Sequence, residues 1–309
     1  MSQDPSWDVY RSFAAVLRER SLSAAARALG LTQPSVARHI AGLEQAVGGS
    51  LFVRSPRGLS PTDRALALRP HAEALVAAAT ALRRAGSGSP DAPEGVVRVS
   101  ASQAVGVWHL PPILAALRRV HPRLAVELAL TDSVDDLLQR QADVAVRMVE
   151  PAQQALVARR VGAVRLGFHA HRDYLARRGM PATVADLRDH DLIGPDTETA
   201  FTRGTAARWL PGLDRAAFAL RTDNDAAHVA AITAGFGIGI CQTAVARRDP
   251  ALVRVLPKAL DVALPLWIVM HEDLRGGARY RAVFDALAEG LGQVAAADAR
   301  ALSLAPPAE

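Results

Sequence analysis

Lysine and cysteine are almost missing from this chain, and no apolar run approaches the length of a membrane span. Of 36 basic residues, Lys258 is the one lysine and the rest are arginine. That bias runs along the whole chain together with abundant alanine. It reflects a GC-rich coding background and carries no weight as a binding signal. A single cysteine, Cys241, excludes an intramolecular disulfide and a metal site made of thiolates alone. No stretch reaches ~18 consecutive apolar residues, so no spanning helix is expected. The start, MSQDPSWDVY, lacks a basic region followed by an apolar core, so no secretory leader is expected. The chain reads as cytoplasmic, without contact to a membrane.

Catalytic signatures are equally scarce. No G-x-S-x-G surrounds any serine, and Cys241 ends an apolar run with no evident base. Gly235-Phe-Gly-Ile-Gly239 is glycine-rich but lacks the G-x-G-x-x-G spacing of a dinucleotide loop. It reads as a helix end followed by a close-packed strand. His169-Ala-His171 places two imidazoles on one face of a strand, but no further His, Asp or Glu stands at metal-ligand spacing. Neither an enzyme, a metal nor a cofactor is expected.

What is present is a segregated charge. The formal net charge is +5, and the first 90 residues carry all of it, with 11 Arg against 6 Asp and Glu. The remaining residues balance, with 25 basic and 25 acidic side chains. A basic end joined to a neutral domain is the electrostatic footprint of nucleic-acid binding at that end. The 309 residues, 50% of them hydrophobic, suffice for a small basic domain and a larger one with its own core.

The basic third is organised around residues 21–62, SLSAAARALGLTQPSVARHIAGLEQAVGGSLFVRSPRGLSPT. Leu22, Ala25, Ala26 and Leu29 form one apolar helical face, and Gly30 permits the turn that follows. Thr32 offers an N-cap oxygen, and Pro34 falls in the first turn of a second helix, where its missing N–H costs nothing. Val36, Ile40, Leu43 and Val47 are the buried face of that helix. Gln33, Ser35, Arg38, His39 and Gly42 are left outside, a short polar face suited to the DNA major groove. A helical hairpin with a merely solvated face is the alternative for these two helices alone. Pro56-Arg57-Gly58 then turns a short hairpin bearing Arg54 and Arg57, a wing suited to phosphate or the minor groove. Before the pair, residues 5–19 form a helix with Trp7, Tyr10, Ala14 and Leu17 on its inner face.

AAARALGLTQPSVARHIAGLE, the turn at 48–52 and VRSPRGLSPT resemble the DNA-binding domain of LysR-type transcriptional regulators. The resemblance implies double-stranded operator DNA as a partner, read by Gln33, Pro34, Ser35, Arg38 and His39, with Arg54 and Arg57 on the wing. One position departs from the family: Ala37 stands where Ser or Thr is usual, leaving contact with a thymine methyl or none.

Residues 63–86 carry two heptad series, Ala65, Ala72 and Ala79 beside Leu68, Leu75 and Leu82. Such a seam suits a close helix–helix contact, although Pro70 is expected to kink or open the helix. LysR-type regulators dimerise through this helix, which implies a homodimer and leaves a tetramer, and a contact with RNA polymerase, open. Residues 86–95 are a Gly/Ser/Pro linker.

Downstream, strands alternate with helices. Strands are expected at 96–102, 124–131 and 143–149, with helices at 106–120 and 134–141, an order that indicates a parallel sheet. Further strands or helices follow at 156–164, 166–170, near Tyr174, and at 192–194, 216–222, 226–234 and 237–241. A strand at 266–271, a helix at 279–296 and a disordered tail at 302–309 close the chain. The fold class expected is α/β overall: a winged helix-turn-helix (1–62), a linker helix and hinge (63–94), and a two-lobed domain (95–302). Lobe I takes 95–163 and 267–302, and lobe II takes 164–266. VRVSAS, ADVAVR and TDNDAAHVAAITAGFGIGI resemble, in order and spacing, the periplasmic-binding-protein-like effector domain of the same family.

Ligands in open α/β sheets bind at strand carboxyl ends. Ser102 and Gln103 end the first strand, with free N–H groups able to hold a carboxylate. Thr131 ends the second, Arg147 lies in the third, and Asn224 precedes a helix of the second lobe. The resemblance implies that Ser102, Gln103 and Thr131 line a cleft for a small effector; helix capping is the ordinary alternative for each. The competing function is a cytosolic solute-binding or enzymatic α/β protein whose N-terminal helices serve protein contacts.

Overall fold

The computed structural model describes residues 4–55, 58–86, 91–131, 142–151, 156–197 and 215–303. The chain divides into two compact units that part at Ser87 and Gly88. The expected helix at 134–141 lies outside the described residues, as does the tail from 304 onward.

The first unit is built from helices α1 (Trp7–Glu19), α2 (Leu22–Leu29) and α3 (Gln33–Val47), the hairpin β1 (Phe52–Ser55) and β2 (Gly58–Pro61), and α4 (Asp63–Ala85). Local chemistry sets the helix ends. Ser21, Thr32 and Thr62 accept N–H bonds at the starts of α2, α3 and α4, and Gly30 and Gly48 end α2 and α3 at φ +67° and +70°. Ala25, Ala26, Val36, Ile40, Leu43 and Leu51 are buried together.

The inner face of α1 differs from the expected one. Phe13 and Val16 are its buried anchors, beside Ser12; Tyr10, Ala14 and Leu17 of the expected face pack at the edge of the same core, while Trp7 is 40% exposed. The true seam runs Val9, Ser12, Phe13, Val16, and a serine in the middle hides it from a pattern of apolar residues. The hairpin is tied back to α1: Leu59 N–H donates to the Arg20 carbonyl at 2.9 Å. Helix α4 continues through Pro70 as one helix. Its Ala/Leu seam divides: Ala65 and Ala72 are buried in this unit's own core, whereas Leu75 and Leu82 are exposed.

The second unit holds β3 (Gly95–Ala101), α5 (Gln103–Trp108), α6 (Leu110–Val120), β4 (Leu124–Leu130), β5 (Val144–Arg147), β6 (Leu156–His171), α7 (Arg172–Arg178), β7 (Leu192–Gly194) and β8 (Phe218–Arg221). It continues with α8 (Asp225–Thr233), β9 (Ile238–Gln242), α9 (Thr243–Ala246), β10 (Leu252–Val255), β11 (Val262–His271) and α10 (Ala278–Ser303). Among the described residues the strands form one sheet in the order β4-β3-β5-β11-β6-β9-β7-β8, with β10 paired to β6. The pairs β3–β4, β3–β5, β7–β8 and β7–β9 are parallel, whereas β6 is antiparallel to β9, β10 and β11.

Two expectations change here. The strands expected at 156–164 and 166–170 are one strand, β6, which pairs with β11 from Leu156↔His271 to Leu166↔Val262 and with β9 and β10 beyond. The helix expected at 106–120 is two, α5 and α6, meeting at His109. Pro111 and Pro112 lack the N–H groups that would carry α5 onward, so the chain must restart. The closing helix α10 is longer than expected and packs Tyr280, Val283, Phe284, Leu287 and Leu291 against the sheet. Its far end supplies buried Asp298, which accepts from Arg247 of α9 and from the Arg165 N–H of β6.

Gly162 makes the long strand possible. It has φ +143°, and a Cβ there would lie 2.3 Å from the Ala295 Cβ of α10. Gly162→Ala is therefore expected to destabilise the second unit by ~1–3 kcal/mol through backbone strain and that clash. Urea unfolding checks it; an unchanged midpoint would show that the strand does not need this conformation.

Two histidines of the second unit have ring nitrogens withdrawn from water, His169 wholly buried and His228 half-buried. His169 is 2% exposed with Nδ1 2.9 Å from the Gly167 carbonyl, and the buried Nε2 of His228 has no partner. Burial pushes both down to about 4. An unfolded histidine titrates near ~6.5, so between ~6.5 and ~4 the unfolded chain holds a proton that the folded one refuses. Stability must fall as pH falls through that window, with a slope approaching ~1.4 kcal/mol per pH unit for each group. His228→Leu should flatten the slope by about one histidine's share, read from urea midpoints between pH 7.5 and 4.5. A slope equal to the wild type's would reject the assignment.

Candidate functional site

On the first unit, α3 presents Gln33, Pro34 and Arg38 to solvent, with Ser35 half-buried. The presentation is ordered. Gln33 Oε1 accepts from Ser23 Oγ at 3.0 Å, and the Ser35 hydroxyl lies 2.9 Å from that of Thr32, whose oxygen also takes the Ser35 N–H. Ser23 belongs to this arrangement and was not expected from the sequence, because its partner is on the next helix. Among the described residues no carboxylate pairs with Arg38 or Arg54, and both are exposed. Arg54 sits on β1 opposite Leu59, and Arg57 lies outside the described residues.

His39 is corrected. Its Nδ1 is 2.8 Å from the fully buried Ser12 hydroxyl, so the ring ties α3 to α1 instead of standing on the outer face. Ala37 beside it is half-buried. The hairpin is fixed to α3 by Glu44, whose Oε1 accepts from the N–H groups of Leu51 (2.7 Å) and Phe52 (3.4 Å).

On the second unit, the starts of α5 and α8 face one another. Asp225 N–H donates to Gln103 Oε1 at 3.1 Å, and Ala104 N–H donates to Asp225 Oδ2 at 3.0 Å. The sequence offered this N–H to an external carboxylate; the chain fills it with its own. Ser102 is 7% exposed, stands at the N-cap position of α5 without capping it, and its hydroxyl has no partner. Thr131, half-buried, donates its N–H to the Ala101 carbonyl at 2.8 Å, which places it beside the end of β3.

Two expected residues have structural duties. Arg147 is buried and donates to the Ser100 hydroxyl (2.7 Å) and to the carbonyls of Ser100 and Val146. Asn224 is exposed, and its Oδ1 caps α8 by accepting from Ala227 N–H at 2.8 Å. Neighbouring Asp223 accepts from the Thr197 hydroxyl and from the N–H groups of Thr197 and Asp196, which hold its carboxyl below the usual range.

The sequence did not point to His109, Gln242 or Thr243, and it pointed to Asp225 only as a neighbour of Asn224. His109, at the joint of α5 and α6, has Nε2 2.8 Å from Gln242 Oε1 at the end of β9. Burial lowers its pKa, while the Gln242 bond opposes the shift. Its Nδ1 and the Thr243 hydroxyl are buried without partners. The signal available was small: a histidine before a proline pair, and a glutamine closing a glycine-rich strand.

Burial pushes the Cys241 thiol up to about 12, opposite to what a nucleophile requires. His171 caps α7 through Asp173 N–H at 3.2 Å, so it shares no ligand with buried His169. Among the described residues no group of three metal-ligating side chains is assembled, and no helix is long and apolar enough to cross a membrane.

Comparison with known proteins matches this geometry. Residues 7–66 match the bacterial regulatory helix-turn-helix protein model of the lysR family, and residues 90–292 match the LysR substrate binding domain. The chain is similar to the probable HTH-type transcriptional regulator LtrA of Klebsiella pneumoniae, 29% identical over 90% of this chain and 92% of that protein. It is also similar to the HTH-type transcriptional regulator PtxR of Pseudomonas aeruginosa, 28% identical over 80% of each chain. Among solved structures, the fold is shared with CrgA, a LysR-type regulator from Neisseria meningitidis, at TM-score 0.58 and 23% identity, covering 93% of this chain and 99% of that one. It is shared as well with full-length CbnR in complex with its target DNA, at TM-score 0.59 and 20% identity over 94% and 99% of the two chains. With both of its domains matched, one built around α3 and the other around the α5–α8 junction, the chain belongs to the LysR family of DNA-binding transcriptional regulators.

Proposed function

We propose that this regulator works in the cytoplasm as a homodimer, reading operator DNA with Gln33, Pro34, Ser35 and Arg38 and answering an effector held between the lobes of its second domain. The observation that carries the reading is the polar outer face of α3, with Arg38 exposed and its neighbours held by hydrogen bonds. Arg54 and Arg57 serve phosphates from the wing, and His39 positions α3 through Ser12. Residues 1–62, 63–94 and 95–302 act as reader, linker and sensor. On the sensor, Ser102, Gln103 and Thr131 face the effector, while Arg147 braces the sheet and Asn224 caps a helix.

Dimerisation through α4 is supported by its uncovered half. Leu75 is 45% and Leu82 76% exposed, and two such positions one heptad apart suit a partner helix. Charged residues at both, Leu75→Asp with Leu82→Asp, should shift the chain toward monomer in light scattering, with the fold intact by circular dichroism. An unshifted mass would remove α4 from the interface.

The decisive experiment is footprinting of the purified protein on its own upstream DNA across a salt series. Arg38→Ala should cost ~1–3 kcal/mol on the protected site and relax preference at one base pair. Equal losses on operator and random DNA would make Arg38 a phosphate contact. Arg54→Ala should weaken binding to all sequences and lower the salt slope by about one charge. If the wild type gave neither saturation nor a footprint, the DNA-reading assignment itself would fall.

A further inference from the structure

The amide of Gln33 is not free to turn. Gln33 opens α3, Ser23 is the second residue of α2, and the Ser23 hydroxyl donates to Gln33 Oε1 at 3.0 Å. Both side chains therefore stand where a helix begins. The first-turn N–H groups of α2 and α3 carry partial positive charge, which favours the amide oxygen over the amino group on that side. With Oε1 drawn toward α2, the amino group becomes the outward end of the side chain. Gln33 is exposed there, whereas Ser23 is half-buried behind it.

The orientation matters because a free glutamine amide is ambiguous. Its oxygen accepts and its nitrogen donates, and a glutamine that presents both along one edge pairs with adenine, accepting from N6 and donating to N7. A glutamine that presents only its amino group offers two hydrogens and no acceptor. In the major groove that arrangement suits guanine, whose N7 and O6 are both acceptors, and it leaves the adenine N6 hydrogen without a partner. One hydroxyl on a neighbouring helix thus selects between two base edges.

We propose that Ser23 is a positioning residue of the DNA reader: it holds the Gln33 amide with its amino group outward, so that this regulator favours guanine over adenine at the base pair Gln33 meets. The proposal rests on the reading of Gln33 as a base contact. Ser23 acts through Gln33 and has no base of its own.

Competitive binding of the full chain tests this, on duplexes carrying its footprinted upstream site with each base pair of a half-site replaced in turn by the other three. Gln33→Ala marks the pair in question as the one where discrimination is lost. At that pair the wild type should prefer a G·C duplex to both A·T ones. Ser23→Ala should raise A·T relative to G·C by about 3- to 10-fold, the range of one neutral hydrogen bond. Alanine is the better helix former, so this variant keeps α2. Ser23→Thr, which retains the hydroxyl, should restore the wild-type order. In the Gln33→Ala chain, Ser23→Ala should change the order no further, because a residue that acts through another is not additive with it. A wild-type preference for A·T at the Gln33 pair overturns the proposal. So does an equal loss on every duplex in Ser23→Ala, which would make Ser23 a phosphate contact. Lost discrimination in Gln33→Ala beside an unmoved Ser23→Ala chain sinks the Ser23 role alone, whereas Gln33→Ala with every preference intact sinks the reading of Gln33 and the proposal with it.

Discussion

Everything in the sensor domain hangs on the pairing of β6 with β11. The two strands run antiparallel through both lobes, from Leu156↔His271 at one end to Leu166↔Val262 at the other. On one side β11 carries β5, β3 and β4; on the other, β6 carries β9, β10 and, through β9, β7 and β8. Neither lobe has a complete sheet without them. A change of angle between the lobes must therefore be absorbed within these strands. The natural place is the register shift at Leu266 and Trp267, opposite Gly162. A bulge increases local twist and tolerates bending, and glycine at φ +143° lets α10 pass closely over it.

The reader domain obeys a different constraint, the placing of a short polar face on a very small core. Its helices approach closely because Ala15, Ala25 and Ala26 take the positions where they cross. A polar link from buried Ser12 to His39 joins the first helix to the third. Burial of a hydroxyl is acceptable only with a partner, and the imidazole is that partner. The ring that a sequence pattern would send toward DNA thus determines how α3 sits, and through it where Arg38 stands. Glu44 does the same for the wing from the other end of the helix by holding two strand N–H groups.

What could be read from the sequence was local, and what could not was long-range. Caps and breakers work within four or five residues, so Thr32, Pro34, Gly30, Gly48 and Thr62 announce the reader domain correctly. The buried faces of α2 and α3 follow from apolar spacing alone. The centre of the α1 face was missed, although Tyr10, Ala14 and Leu17 at its edge were read, because Ser12 interrupts it, and only a partner 27 residues away explains why a serine is buried there. The single long β6 was read as two strands parted at Arg165, and only its pairing with the distant β11 shows that the strand is continuous there. Strand β10 and helix α9 have four residues each, too few to show a period. At the cleft, Ser102, Gln103 and Thr131 were visible as strand ends. His109 was not, nor was the role of Asp225, because their partners Gln242 and Ala104 lie 133 and 121 residues away.

Those distant pairs give the sensor its logic. The lobes touch at three kinds of joint: the continuous strands β6 and β11, the buried Asp298 of α10 with Arg247 and Arg165, and the two ends of α5. The first is covalent in effect and cannot open. The second removes a fully buried carboxylate from water, and breaking such a pair leaves an uncompensated charge, so it resists opening as well. The third consists of the buried His109–Gln242 bond and the part-buried bonds at Asp225, beside hydroxyls that have no partner among the described residues. A ligand can only shift an equilibrium by differing in affinity for its two states. The α5 junction carries buried groups without partners among the described residues, the Ser102 and Thr243 hydroxyls and His109 Nδ1, and these are the groups to which a ligand has bonds to offer.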